Sequence, residues 1–278
     1  MIRMLLRLAF AALALPFAPA ASAAAAGKSE PLVVGETFTL ESAALHETRC
    51  INVYVAPAPA GRPAPPRLAL YMPDGGLGED FLHVAGLVQV GVANGTMRPT
   101  LLVGIENTER RRDLTGPTDD PEDRKIAPRV GGSAAFRQFL REELMPEIRR
   151  RYGAPARTAI VGESLAGLFV VETFLREPDL FDTYIALDPS LWWNRGRLVA
   201  DAPALLRTGA RGGKAVFLAN GSQPQIAAAT RAFESALAAA GVAGLSHAYV
   251  PFPQETHATI YHPAALRAFR TMLAPPKG

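Results

Sequence analysis

Polar and apolar residues alternate over 36–40 and again over 48–55. A period of two predicts two half-buried strands, antiparallel across the polar stretch 42–47. Residues 56–66 are rich in Pro and Ala and read as a loop, and 67–72 is a more continuously apolar strand stopped by Pro73-Asp74-Gly75-Gly76. Beyond it the period changes to and fro. Helical spacing at 81–93 precedes an apolar strand at 100–105, and 106–129 is a charged loop without periodicity. An amphipathic helix over 134–152 carries Phe136, Phe139, Leu140, Leu144 and Ile148 on one face, with Pro146 predicting a kink. Strands at 158–161, 183–187, 215–219 and 246–252 then alternate with helices at 165–176, 225–240 and 263–273, with a Trp-bearing loop after 187. Strands alternating with helices over this length predict one doubly wound, mostly parallel α/β sheet with an antiparallel start, in a single domain.

Composition changes this picture mainly at the N-terminus. Residues 1–7 carry two arginines, 8–17 are apolar but too short to span a bilayer, and Ala21-Ser22-Ala23 has small-residue cleavage character. The expected division is a signal peptide at 1–23, a linker at 24–35 and the domain at 36–278, in an exported protein, periplasmic or secreted. The chain has 29 basic and 26 acidic residues. Loss of Arg3 and Arg7 with the leader leaves 27 against 26, so the charge gives no support for nucleic acid as a partner. No membrane span is expected in the mature chain. Cys50 is the single cysteine, which excludes an internal disulfide; its apolar strand neighbours predict a buried thiol.

The sharpest chemical signal is Gly162-Glu163-Ser164-Leu165-Ala166-Gly167, between a predicted strand and a predicted helix. A tight turn there exposes a strained serine at the C-terminal sheet edge, beside the positive end of the helix. The plain alternative for Ser164 is a helix N-cap. A serine becomes a nucleophile only when a base takes its proton. Of the five histidines, His257 lies on the loop after the last strand, where the order serine, acid, histidine requires it. His46 and His83 precede the serine, His247 falls in a strand, and His262 stands at a helix start. No pair has zinc-ligand spacing, and neither metal nor cofactor is expected. The usual site for the acid, 220–225, has no carboxylate. Asp188 and Glu255 are the candidates, a Ser–His dyad stays open, and Asp188 would otherwise be an Asp-Pro turn residue. Gly75 and Leu165 are the expected N–H donors to an oxyanion.

Several segments together resemble the putative-esterase family of α/β-hydrolases, over about residues 68–269. They are Tyr71-Met72-Pro73-Asp74-Gly75, Val103-Gly104-Ile105-Glu106-Asn107, Arg112-Asp113-Leu114-Thr115 and Leu144-Met145-Pro146. The elbow, Phe181-Asp182-Thr183-Tyr184-Ile185-Ala186 and Asp188-Pro189-Ser190-Leu191-Trp192-Trp193-Asn194 complete the set. The family includes enterobactin-type siderophore esterases, S-formylglutathione hydrolases and secreted mycolyltransferases. The chain looks most like the exported siderophore esterases, some of which lack the usual acid. Against the family pattern, Glu163 replaces a common His and Ala166 a common Gly. The resemblance implies the α/β-hydrolase fold and hydrolysis of a small-molecule carboxylic ester through an acyl-enzyme, with a siderophore lactone as the specific guess. It also implies that an arginine in 110–112, taken as Arg112, meets an anionic catecholate–iron ligand; a solvated charged loop is the plainer reading. Trp192 and Trp193 would wall an aromatic substrate, or one of them is core. An acyltransferase with the same parts, or a non-catalytic binding protein on this fold, are the rivals.

Overall fold

The computed structural model describes residues 29–57 and 68–276. The signal-peptide assignment, the first part of the linker (24–28) and nearly all of the Pro/Ala loop lie outside the described residues. Val34–Gly278 forms one compact unit. Its centre is a single eight-stranded sheet in the order β1-β2-β4-β3-β5-β6-β7-β8. β1 (Glu36–Ser42) and β2 (Glu47–Val55) form the antiparallel entry, and β2 pairs antiparallel with β4 (Thr100–Ile105). β3 (Leu68–Pro73), β5 (Arg157–Glu163), β6 (Thr183–Leu187), β7 (Ala215–Asn220) and β8 (Ser246–Pro251) run parallel with β4. The mostly parallel sheet with an antiparallel start is what the alternating periods predicted, and it has the α/β-hydrolase architecture that the family resemblance implied.

Alternation along the strands divides the core between two faces. Tyr71, Val103, Ile160, Tyr184 and Leu218 point to one side. There they meet α4 (Ser133–Phe139), α6 (Leu165–Arg176), α7 (Trp193–Leu206) and α8 (Pro224–Ala240). Leu70, Met72, Leu102, Val161, Ile185 and Phe217 point to the other, against α1 (Phe81–Ala93) and α9 (Tyr261–Met272). Among the described residues no helix is long and apolar enough to cross a membrane.

Three sequence readings need correction. The stretch 106–129 contains two short helices, α2 (Arg110–Asp113) and α3 (Pro121–Ile126). α2 is held by polar contacts, which leave no apolar period. Fully buried Arg49 on β2 reaches Asp113 at 2.6 Å and the Glu106 carbonyl at 2.9 Å. α7 was also hidden: Asn194, Arg195 and Gly196 have left-handed backbone angles, so regular helix starts only after them, and Pro203 lies inside it. Cys50 is half-buried where full burial was expected. Pro146, by contrast, disturbs its helix as expected. A π-helical turn, Leu140–Leu144, links α4 to α5 (Met145–Tyr152), accommodating the N–H that proline lacks.

The turn between β5 and α6 explains why Ala166 is acceptable. A β-carbon on Gly162 would lie 2.6 Å from the Ala166 carbonyl carbon and 2.7 Å from its methyl. The space a side chain at 162 would need is filled by residue 166, so the methyl fits only because Gly162 has none. Gly167 keeps the other side clear: a β-carbon there would stand 3.0 Å from Leu187 O and from Pro189 Cα. Gly162→Ala should therefore destabilise the fold by about 3 kcal/mol, the upper end of overpacking costs. Urea unfolding checks this, and an unchanged midpoint would show that the turn is slack.

Candidate active site

Ser164 sits between β5 and α6 with φ 61° and ψ −120°, a conformation sparsely populated for any residue with a side chain. Its N–H is bound to Leu187 O at 3.1 Å and its own carbonyl accepts from Ser190 N–H at 2.9 Å, so the loop after β6 clamps the strained turn. The side chain makes no cap hydrogen bond to the helix. The N-cap alternative is thereby set aside, and the hydroxyl is free to face His257.

His257 Nε2 lies 3.0 Å from Ser164 Oγ, and its Nδ1 lies 2.5 Å from Asp188 Oδ2. The imidazole side chain is about one-third exposed, whereas the Asp188 side chain is fully buried. Asp188 stands just past β6 with φ 43°, a left-handed conformation that aspartate tolerates. Its N–H continues the ladder to Ala219 O at 2.8 Å, and its Oδ1 accepts the Gly221 N–H at 2.7 Å. The bare loop after β7 thus contributes a donor that holds an acid from the neighbouring strand. The hydrogen bond to Asp188, opposed by partial burial and helped by the charge of Glu163, raises the His257 pKa above its ordinary value.

The alternatives separate cleanly. Glu255 takes part through its backbone, its N–H on Phe252 O and its carbonyl on Ser222 N–H, and its carboxylate makes no hydrogen bond to His257. Glu163 instead brings its carboxylate to 3.2 Å from His257 Nδ1. This contact was not read from the sequence, although the unusual carboxylate beside the nucleophile was visible there. Ser190 is a second unanticipated neighbour, with its buried hydroxyl 3.4 Å from Ser164 Oγ.

The oxyanion assignment is half retained. Leu165 opens α6, so its N–H has no partner within the helix and is available beside Ser164. The Gly75 N–H is not available: it donates to Ile105 O at 3.0 Å, continuing the sheet. A β-carbon at 75 would lie 2.3 Å from Gly104 Cα, so this glycine is needed for strand contact. The next donor, Gly76 N–H, is bound by Glu79 Oε2 at 2.7 Å, which means that this N–H already carries an anion.

Two of the substrate-binding assignments are also corrected. Arg112 is committed to Glu47 at 2.7 Å and Asp113 at 2.6 Å, bracing α2 on β2. Arg110 is the arginine near the site, with a bidentate grip on Asp74 at 2.7 and 2.8 Å. Trp193 is buried core and donates its Nε1–H to Gly116 O at 3.0 Å. Trp192 is half-buried and lines a surface groove of about 530 Å³ with Leu191, Arg195, Val199 and Gln225. His46 is in the β1–β2 turn, His247 on β8 and His262 in α9, none of them in contact with Ser164.

Glu163, Asp188 and His257 also place donor atoms within 4.8 Å of one another, a set that could hold a cation. The 2.5 Å between Nδ1 and Asp188 is a hydrogen-bond spacing. Two ligands each about 2 Å from a metal stand farther apart than that, so a bound ion would have to widen it.

A strained serine, its imidazole and a buried acid, all on C-terminal strand ends of this sheet, define an α/β-hydrolase of the serine-dependent class. The chain belongs to the family described as "Putative esterase", matched over residues 42–261. Among curated relatives, it is 34% identical over 188 residues to the ferri-bacillibactin esterase BesA of Bacillus subtilis, covering 61% of this chain and 63% of that one. It is 36% identical over 104 residues to the siderophore triacetylfusarinine C esterase of Aspergillus fumigatus, covering 36% of this chain and 34% of that one. The match thus spans less than two thirds of the length of either relative. In structure it is similar to an IroE-like serine hydrolase from Shewanella oneidensis, with TM-score 0.77 and 25% identity over 86% of this chain and 80% of that one.

The two candidate acids make opposite predictions. Asp188→Asn should lower kcat by on the order of 10³- to 10⁴-fold with KM little changed, as loss of a triad acid does. Glu255→Gln should stay within about twofold of wild type, as a surface change remote from the reacting atoms does. Steady-state kinetics on a p-nitrophenyl ester decide, and the reverse ranking would return the role to Glu255.

Proposed function

We propose that this protein is an exported serine esterase that cleaves a siderophore ester through an acyl-enzyme. The observation that carries the reading is the continuous line Ser164 Oγ, His257 Nε2, His257 Nδ1, Asp188 Oδ2, with spacings of 3.0 and 2.5 Å. In this reading Ser164 Oγ attacks the ester carbonyl carbon as its proton passes to His257 Nε2. The imidazolium is held by Asp188 through Nδ1–H. The oxyanion takes the Leu165 N–H, with the Gly76 N–H as second donor once Glu79 yields it. Collapse expels the alcohol, which receives the proton from His257. Water then attacks the acyl carbon, gives its proton to His257 and releases the acid, and Ser164 regains its hydrogen.

Support for the substrate class comes from the named activities of the relatives, both of them siderophore esterases. The groove beside Trp192 supplies an aromatic wall next to the loop that clamps Ser164, with Arg195 at its rim in an exposed ion pair with Asp120. Catecholate and hydroxamate siderophores are oxygen-rich, which suits an arginine at such a rim. Export rests on the leader pattern in residues 1–23. The binding-protein rival is motivated by the missing acid together with Glu163; the placement of Asp188 against His257 supports the hydrolase reading over it.

Fluorophosphonate labelling of the purified protein should give one adduct per chain on Ser164 by mass spectrometry, and none in His257→Ala. The same preparation should hydrolyse a tri-catecholate lactone to its linear acids with little transfer to added alcohol. A folded protein without an adduct would sink the mechanism, and transfer outrunning hydrolysis would make it an acyltransferase. For export, the periplasmic or medium fraction should contain a chain beginning near Ala24; an intact Met1 in a cytoplasmic product would count against it.

A further inference from the structure

Glu163 closes β5, one residue before the nucleophile, and the strand end fixes where its carboxylate goes. The carboxylate arrives at the same imidazole nitrogen that Asp188 binds, at 3.2 Å against 2.5 Å. Only 14% of its side chain is exposed, and Oε1, the oxygen nearest Nδ1, is buried without any hydrogen-bond donor of its own. A buried carboxylate oxygen with no donor is costly. Among the described residues its ion-pair contact is with the catalytic imidazole.

We propose that Glu163 is a second carboxylate partner of His257, a positioning residue whose own ionisation gives the esterase a second, alkaline rise in rate. The inference rests on the serine-hydrolase reading of Ser164 and His257. Its physical basis is the charge count around Nδ1. With Glu163 protonated, one negative charge, that of Asp188, faces the imidazolium formed in the transition state. With Glu163 ionised there are two, and the imidazolium is further stabilised relative to the neutral ring of the resting enzyme.

Burial is the main influence on Glu163 and raises its pKa; Asp188 and Asp74 add to this, while His257 and Arg110 oppose it, and the balance stands at about 8. The groups that face it come from every neighbouring element. Asp188 lies at the end of β6, His257 on the β8–α9 loop, Asp74 after β3 and Arg110 in α2. Asp80, before α1, and Tyr261, at the start of α9, stand in the same field. Because Glu163 and His257 interact, the two protons come off in macroscopic steps that belong to the pair. Removing the carboxylate leaves one step.

The test is the rate of fluorophosphonate inactivation, and kcat/KM on a p-nitrophenyl ester, from pH 5.5 to 9.5 for wild type, Glu163→Gln and Glu163→Asp. Wild type should show two ionisations, the upper near 8, and Glu163→Gln one. The ratio of wild type to Glu163→Gln should grow about tenfold between pH 6.5 and 9.5, the factor that one pKa unit represents. Glu163→Asp, which keeps a carboxylate, should restore the second step. Thermal unfolding of each variant reports stability separately. A Glu163→Gln profile parallel to wild type at all pH values, even at a lower level, would reduce Glu163 to a structural role and overturn the proposal. If wild-type Ser164 fails to label at any pH, the hydrolase reading itself falls and this inference with it.

Discussion

The 2.5 Å hydrogen bond between His257 and Asp188 joins parts of the chain that are far apart in sequence, and most of the site follows from what it requires. For the imidazole to reach Ser164 with its other nitrogen, β5, β6 and the β8–α9 loop must end at the same level. Parallel pairing of β5 with β6, β6 with β7 and β7 with β8 sets that level. The backbone strain at Ser164 and Asp188 is found at the two points where side chains must turn toward the ring. Both turns are tied by main-chain bonds, Ser164 N–H to Leu187 and Asp188 N–H to Ala219. The strain is therefore held by the sheet, which leaves the histidine loop, itself partly exposed, free to accept a substrate at its open side.

The same convergence concentrates negative charge. Asp74, Glu163 and Asp188 lie close enough to influence one another, with Arg110 the cation that opposes them. In a partly desolvated site such charges interact far more strongly than on the surface. Arg110 grips Asp74 in a bidentate pair, which removes much of the repulsion from the loop after β3. Glu163 is left as the group whose charge is least compensated. Together with its burial, this displaces its ionisation toward neutral and alkaline pH.

Wherever burial is apolar the fold was legible in the sequence. β5 and α6 were placed from their periods, and with them Ser164; His257 followed from chain order after β8. What remained hidden depends on polar or backbone detail. α2 is fixed by Arg112 and Asp113 against Glu47 and Arg49 of β2, and its own charges read as a solvated loop because no apolar period marks the contact. α7 begins behind three left-handed residues that break its pattern. The position of its loop points to Gly75 as an oxyanion donor, but a one-residue register in the β3–β4 pairing decides which N–H is consumed by the sheet. Trp192 and Trp193 are adjacent, and nothing in their order tells which one faces the groove and which the core.

The choice between Asp188 and Glu255 shows why sequence proximity misleads at such a site. Glu255 is two residues from His257, yet its backbone closes a turn against Ser222 and Phe252, and this directs the loop so that its carboxylate makes no contact with the ring. Asp188 is 69 residues away and directly adjacent in space. Neighbouring strands in a sheet stand about 4.8 Å apart, so an acid at the end of β6 can reach a ring that an acid at the end of β7 would otherwise meet. The move needs two accommodations. The residue after β7 must not crowd the carboxylate, which Gly221 satisfies, and its N–H must replace a lost donor, which it does at 2.7 Å. A loop with no carboxylate is thus part of the acid's support: a side chain of any size at 221 would meet Glu255 O at 2.9 Å and press the loop away from Asp188.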